Sequence, residues 1–280
     1  MDYLNYKKID SDFIDYLDTL VKEVNKKSFV KLIDMTSIYQ EHECKANKDT
    51  LFTPYCMLRL YSDLVDLPSK ILYLDTDGFA YRSFKDFYDI NNTNYELVGV
   101  LDYYGSHVYK KNPFKKDYLN SGVLLFNLDL LKKEDILNKA RKMCATKKML
   151  LPDQSALNIL CKHKLIVDRK YNEQKAMQSD TVLRHFTTTF KFFPRIKTQK
   201  VKPWQINRMH DVLNCHEFDW LLDEYKEWLQ MNNKIIPIFF TIDDAFAPFA
   251  SVAIKSLLDN ASQNYFYHIH IVNNGLSEEN

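Results

Sequence analysis

Ile14, Leu17, Leu20, Val21 and Val24 recur at the three-to-four spacing of one helix face, which predicts a helix over residues 11–26. Phe29–Met35 then reads as a strand. Thr53-Pro54 carries the cap and first-turn proline of a helix running to about Asp66. Ile71–Leu74 is an unbroken apolar run, the pattern of a strand buried on both faces of a parallel sheet. Similar runs lie at Leu97–Leu101, Gly122–Leu128 and Val182–Phe186, with helical stretches at about 132–145, 153–162 and 204–229. Alternation of this kind predicts an α/β fold with a mostly parallel, Rossmann-like central sheet flanked by helices. Ligands of such sheets collect beyond the carboxyl ends of the strands.

Residues 235–272 repeat the pattern as strand (IIPIFF), loop (TIDDAFAP), helix (FASVAIKSLLDN) and strand (YFYHIHIV). Ser277-Glu278-Glu279 then has the composition of a helix start. The chain opens into a helix with no strand before it, so joining residue 280 to residue 1 would complete a strand–helix–strand unit. The expectation is a single domain over 1–280 in circularly permuted order, residues 231–280 standing for the natural beginning and 1–230 for the remainder. A fragment of a tandem protein is the alternative.

Composition narrows the classes. The chain has 38 basic and 37 acidic residues, a net charge of +1, which argues against nucleic acid as partner. Five widely spaced cysteines without a CxxC pair read as free thiols in a reducing compartment. Without a membrane-length apolar segment or a signal peptide, a cytoplasmic location is expected. His42-Glu43-Cys44 reads as a surface loop. The apolar stripe of Phe218, Leu221, Leu222, Tyr225, Trp228 and Leu229 reads as core rather than membrane contact.

The candidate chemistry starts where Ile71–Leu74 runs into Asp75-Thr76-Asp77. Carboxylates at the end of a buried strand are costly unless compensated, and a divalent cation carrying a phosphorylated ligand would compensate them. Alternate residues of an extended chain point to one side, so both can offer oxygen to one ion, and oxygen ligands with a diphosphate suit Mg²⁺ or Mn²⁺. Asp243 lies in the loop after Ile235–Phe240 and reads as a hydrogen-bond acceptor for a base or ribose, or as a turn residue. Asp153 and Gln154 open the helix DQSALNILC, where an acidic first turn also suits the helix dipole. His185 on its own residues reads as a strand-end histidine satisfied by backbone.

Six segments together resemble glycosyltransferase family 8, the retaining enzymes that use nucleotide sugars. PIFFTIDDAFAPFASVAIKSLLDN resembles the family's opening strand and helix, and IHIVNNGLSEEN its second strand and turn. MLRLYSDL with KILYLDTDG resembles its helix and metal-binding strand. DYLNSGVLLFNL resembles its sugar-site strand, LPDQSALN its Asp-Gln motif, and Val182–Phe186 with Lys202-Pro203-Trp204 its closing segment. The resemblance implies a GT-A type fold. It implies a site in which His185 is the third metal ligand beside Asp75 and Asp77, and an imidazole in an oxygen shell favours Mn²⁺. Thr241 and Asp243 would hold the nucleotide, and Arg59 would reach the donor. Asn120 would face the sugar, and Asp153 with Gln154 would lie near the reacting carbon. Lys202 or Lys191 would neutralise the diphosphate. Three departures stand out: Ala245 where the family often has Asn, Ser155 where Asp-Gln-Asp is common, and a long segment without glycine between His185 and Lys202.

The implied reaction moves a hexose from a UDP-sugar to an acceptor hydroxyl on a glycan, a lipid-linked carrier or a protein, with a peripheral membrane contact among the implied partners. Two rival readings are a haloacid-dehalogenase-like phosphatase, with Asp75 as nucleophile and Asp77 as acid, and an inactive nucleotide-sugar-binding relative.

Overall fold

The computed structural model describes residues 11–48, 54–104, 117–191, 197–232, 235–242, 245, 247–262 and 265–273. Two compact units emerge. The first comprises Met1–Gln174 with Gln178–His185, the second Lys175–Met177 with Phe186–Asn280.

The first unit opens with α1 (Ser11–Val24), on the predicted residues, and α2 (Thr36–Glu41). Phe29–Met35, expected as a strand, is irregular. Phe29 and Leu32 stay exposed, and the Val30 amide donates to the Asp18 carboxylate at 2.8 Å instead of to a neighbouring strand. The helix expected from Thr53-Pro54 is a 3-10 helix over Pro54–Tyr61 that buries Met57, Leu60 and Tyr61. Cys44 is no surface residue: it is fully buried, with its Sγ 3.5 Å from the Tyr61 hydroxyl. Then come β1 (Lys70–Leu74), β2 (Gly78–Ala80), α3 (Lys85–Tyr88), β3 (Leu97–Leu101), β4 (Leu119–Asn127), α4 (Leu128–Lys133), α5 (Ile136–Thr146), α6 (Pro152–Leu160), β5 (Lys164–Ile166) and β6 (Leu183–His185).

Four of these strands form a sheet in the order β1-β4-β3-β5. The α/β class holds, and the sheet is mixed. The expected parallel pairing is found between β3 and β5, while β1–β4 and β4–β3 run antiparallel. β4, the longest strand, is buried on both faces. Leu124 and Phe126 point into a core with Met57, Tyr61, Leu137 and Ala140, and Val123 and Leu125 point into another with Phe87, Val98 and Leu183. The period-two alternation of a strand thus explains an apolar run unbroken by polar residues. β1 was expected to be equally buried. It lies instead at the end of the strand order, only half-buried, with Leu74 exposed.

The second unit contains the antiparallel pair β7 (Thr189–Lys191) and β8 (Lys197–Gln199), then α7 (Ile206–Leu213), α8 (Asp219–Asn232), β9 (Ile235–Ile242), α9 (Ala247–Asp259) and β10 (Phe266–Asn273). The long helix expected over 204–229 is two helices, because Asn214 turns left-handed (φ 48°) and closes α7 with its amide on the His210 carbonyl at 3.0 Å. Phe218 and Leu222 of the predicted stripe are core residues. The strand–helix–strand at the C-terminus forms as expected, β9 and β10 pairing in parallel from Ile235↔Phe266 to Ile242↔Asn273. These two strands make a sheet of their own, separate from the sheet of residues 71–74.

No helix among the described residues is long and apolar enough to cross a membrane. All five cysteines are free thiols, as expected from their spacing.

Candidate active site

The strand end that carries Asp75 and Asp77 is held by two partners distant in sequence. The Asp75 amide donates to the Gly122 carbonyl at 2.8 Å, continuing the β1–β4 pairing. β2 follows at once and pairs antiparallel with β6, setting Gly78 opposite His185. His185 Nε2 consequently lies 3.1 Å from Asp77 Oδ1 and 3.7 Å from Asp75 Oδ2. One ligand atom from each residue falls within 4.8 Å of the others. His185 is buried, and only glycine fits at 122 beside its ring.

A chain of amides fixes which ring nitrogen faces the carboxylates. The Asn120 amide nitrogen donates to the Asp102 carboxylate at 3.2 Å, leaving Asn120 Oδ1 to accept from the Gly122 amide and from Asn172 Nδ2, each at 3.0 Å. Asn172 Oδ1 is then an acceptor, and it faces His185 Nδ1 at 3.1 Å. Nδ1 must donate, so a neutral imidazole presents the lone pair of Nε2 to Asp75 and Asp77. A lone pair and two carboxylates aimed at one point repel unless a cation sits among them. The donor set thus fits a divalent metal, with an outer hydrogen bond of the kind that orients histidine ligands.

Arg59 occupies the other side of Asp75. Its buried guanidinium donates to Asp75 Oδ1 at 2.8 Å, lies 3.2 Å from Asp153 Oδ2, and also donates to the Ser121 carbonyl. Tyr73 adds its ring face 4.2 Å from the guanidinium carbon and its hydroxyl 2.7 Å from the same Asp75 oxygen. The two oxygens of Asp75 are therefore divided, Oδ1 to Arg59 and Tyr73 and Oδ2 toward His185. Burial alone would push the Arg59 guanidinium down, but Asp153 and Asp75 outweigh it and hold the group more firmly protonated than usual. Burial pushes the Tyr73 hydroxyl up, so it stays a donor. At the start of α6, Gln154 Nε2 donates to Asp102 at 2.7 Å and Gln154 Oε1 accepts from the Ser121 amide at 2.9 Å. Ser121 Oγ donates to Asp153 at 3.1 Å.

The profile described as glycosyl transferase family 8 matches residues 2–208. The chain belongs to glycosyl transferase family 8. The family match ends before β9. The chain is 30% identical over 164 residues to glycosyltransferase GlyA of Streptococcus pneumoniae, covering 56% of this chain and 22% of that protein. It is 26% identical over 193 residues to a candidate glycosyltransferase of Haemophilus influenzae, covering 59% of this chain and 54% of that protein. The chain thus spans about half or less of the length of these relatives. Among solved structures, the apo bifunctional glycosyltransferase WbbM shares the fold at a TM-score of 0.53 with 12% identity, over 78% of this chain and 44% of that one. The α/β fold is GT-A type.

The structure brings several of the expected residues together. Asp75, Asp77, His185, Arg59, Asn120, Asp153 and Gln154 share one continuous network in the first unit. Thr241, Lys191 and Lys202 belong to the second unit, where Thr241 falls in β9, Lys191 in β7, and Lys202 Nζ donates to the Phe186 carbonyl at 3.2 Å. Asp243 lies outside the described residues. So does Asp244, its companion in the phosphatase reading. Ser155, the departure from Asp-Gln-Asp, hydrogen-bonds the buried Tyr118 hydroxyl at 2.9 Å. Sequence reasoning missed Asp102 and Asn172. Asp102 had a signal, since it ends the apolar run Leu97–Leu101 as Asp75 ends Ile71–Leu74. Asn172 had none: it sits in an irregular stretch between β5 and β6.

Proposed function

We propose that the chain is a metal-dependent retaining glycosyltransferase that moves a hexose from a UDP-sugar to an acceptor hydroxyl. The observation that carries this reading is the convergence of Asp75, Asp77 and His185 Nε2 on one point, braced by the network that also holds Asp153, Gln154 and Asn120. Family membership supports glycosyl transfer in general. The donor and the stereochemistry are the proposal.

Asp75, Asp77 and His185 would hold the ion, and two carboxylates with one imidazole suit Mn²⁺, with Mg²⁺ second. A bound divalent cation supplies positive charge against a departing diphosphate, where charge grows in the transition state. Asn120, Asp153 and Gln154 would orient the sugar. Both ends of the Gln154 carboxamide are engaged, by Ser121 and Asp102, which suits positioning rather than nucleophilic attack. Thr241 and Asp243 would contact the nucleotide, and Lys202 or Lys191 would neutralise the leaving diphosphate. Same-face transfer, with the leaving phosphate accepting the proton of the attacking hydroxyl, then needs no enzyme nucleophile. A glycan, lipid-linked carrier or protein would supply that hydroxyl. The free cysteines suit a reducing compartment, and this reading assigns the reaction to the cytoplasm.

The test is UDP release from a panel of UDP-sugars with Mn²⁺, comparing the chain with its Asp75→Asn/Asp77→Asn variant. Release from one sugar, lost in the variant and in chelator, is expected. Hydrolysis of simple phosphate esters with no nucleotide-sugar turnover would overturn the reading.

A further inference from the structure

In the second unit, the corner between α7 and α8 gathers a nitrogen-rich cluster that the transfer reaction does not use. His210 lies in the last turn of α7, His216 in the connection, and Asp219 is the first residue of α8. His210 Nε2 is 2.6 Å from Asp219 Oδ1, and His216 Nδ1 is 3.2 Å from Asp219 Oδ2. The two imidazoles stack at 4.4 Å between centroids, inclined by 23°. One ligand atom from each of the three residues lies within 4.8 Å of the others.

We propose that His210, His216 and Asp219 form a second metal site, for a zinc-class divalent cation, that pins α7 to α8. The donor chemistry separates it from the Asp75–Asp77–His185 site. Two imidazoles and one carboxylate favour zinc and its late-transition neighbours over Mg²⁺ or Mn²⁺. Zinc bonds of about 2.0–2.1 Å in a tetrahedron set donor atoms about 3.3 Å apart. His216 Nδ1 and Asp219 Oδ2, at 3.2 Å, already have that spacing, whereas His210 Nε2 lies 2.6 Å from the other carboxylate oxygen, so the carboxylate must turn to set one oxygen at that distance from both imidazoles.

The scaffold is set before an ion arrives. The Asn214 amide closes on the His210 carbonyl at 3.0 Å, the Cys215 amide on Met209 at 3.1 Å, and the Asp219 amide on His216 at 3.2 Å. Three backbone bonds across one turn therefore fix the relative positions of the three ligands. The His210, His216 and Asp219 side chains retain 30%, 56% and 40% of their surface, which leaves an approach for the ion and for a water as fourth ligand. Two stacked imidazoles repel when both are protonated and share a cation readily when both are neutral.

Zinc binding to the Asp75→Asn/Asp77→Asn variant isolates this cluster from the other site. Equilibrium dialysis with Zn²⁺ at neutral pH is expected to give one bound ion per chain, with affinity falling at least about 10–100-fold when His216→Ala is added. X-ray absorption of the bound zinc should show two imidazole ligands. As a second comparison, the otherwise unaltered chain should bind one zinc more than its His216→Ala or Asp219→Asn variant. Equal zinc binding with and without His216, or no zinc bound by the Asp75→Asn/Asp77→Asn protein while it remains folded by circular dichroism, would overturn the proposal.

Discussion

Gly122 lies against the ring of His185 so closely that a Cβ at 122 would stand 1.9 Å from Cε1 and 2.6 Å from both ring nitrogens. No side-chain rotation at 122 relieves that overlap, so the imidazole itself must move. Gly122→Ala is therefore expected to displace the proposed third metal ligand while β4 stays folded. Mn²⁺ titration followed by electron paramagnetic resonance should show affinity reduced by about 10–100-fold, as for lost outer support of a ligand. Unchanged Mn²⁺ affinity would remove His185 from the site.

Asn172 Oδ1 accepts from His185 Nδ1, and so sets which nitrogen carries the proton. Asn172→Ala should cost about 10–100-fold in metal affinity through lost orientation of the ring. On the proposed assignment, high Mn²⁺ should restore UDP release in this variant, because the proposed ligands themselves are intact. A defect that no Mn²⁺ concentration relieves would point to a role beyond orientation.

Arg59 is buried between Asp75 and Asp153. Arg59→Leu leaves both carboxylates without their cation and should lower stability by about 3–5 kcal/mol in urea unfolding. Arg59→Lys retains charge but cannot fork to two carboxylates and a carbonyl at once, so an intermediate loss is expected. Wild-type stability in the leucine variant would show that the pair contributes nothing net.

Asp102 accepts from both Gln154 and Asn120. Asp102→Ala strands two buried amide donors, at a cost of about 1–3 kcal/mol each. The variant should also lose kcat, since Gln154 keeps only its Ser121 contacts, and lose metal affinity to a smaller degree, since the amide chain from Asn120 through Asn172 to His185 is loosened. Separate measurement of kcat and of Mn²⁺ affinity distinguishes the two effects.

Much of this was readable in advance, for a physical reason. Ile71–Tyr73 and Val123–Phe126 are apolar because they line cores, and Asp75 interrupts that logic at a strand end where charge needs compensation. Buried carboxylates are conspicuous in sequence for the same reason, and Asp102 carried the same mark. The antiparallel pairings of β4 were not readable, because pairing direction depends on how β1 returns to β4 rather than on either strand's residues. Neither was Asn172, whose part depends on the acceptor that Asn120 leaves it. Phe29–Met35 failed in the opposite way: its residues suit a strand, but among the described residues it pairs with none, and the Val30 amide goes to Asp18.

One guanidinium bridging Asp75 and Asp153 also makes those carboxylates share a fixed supply of positive charge. If Asp75 turns toward an incoming cation, Arg59 is released from half of its duty and tightens on Asp153. On the proposed assignment, ion and sugar would then be thermodynamically linked, each altering the other's dissociation constant by the same factor.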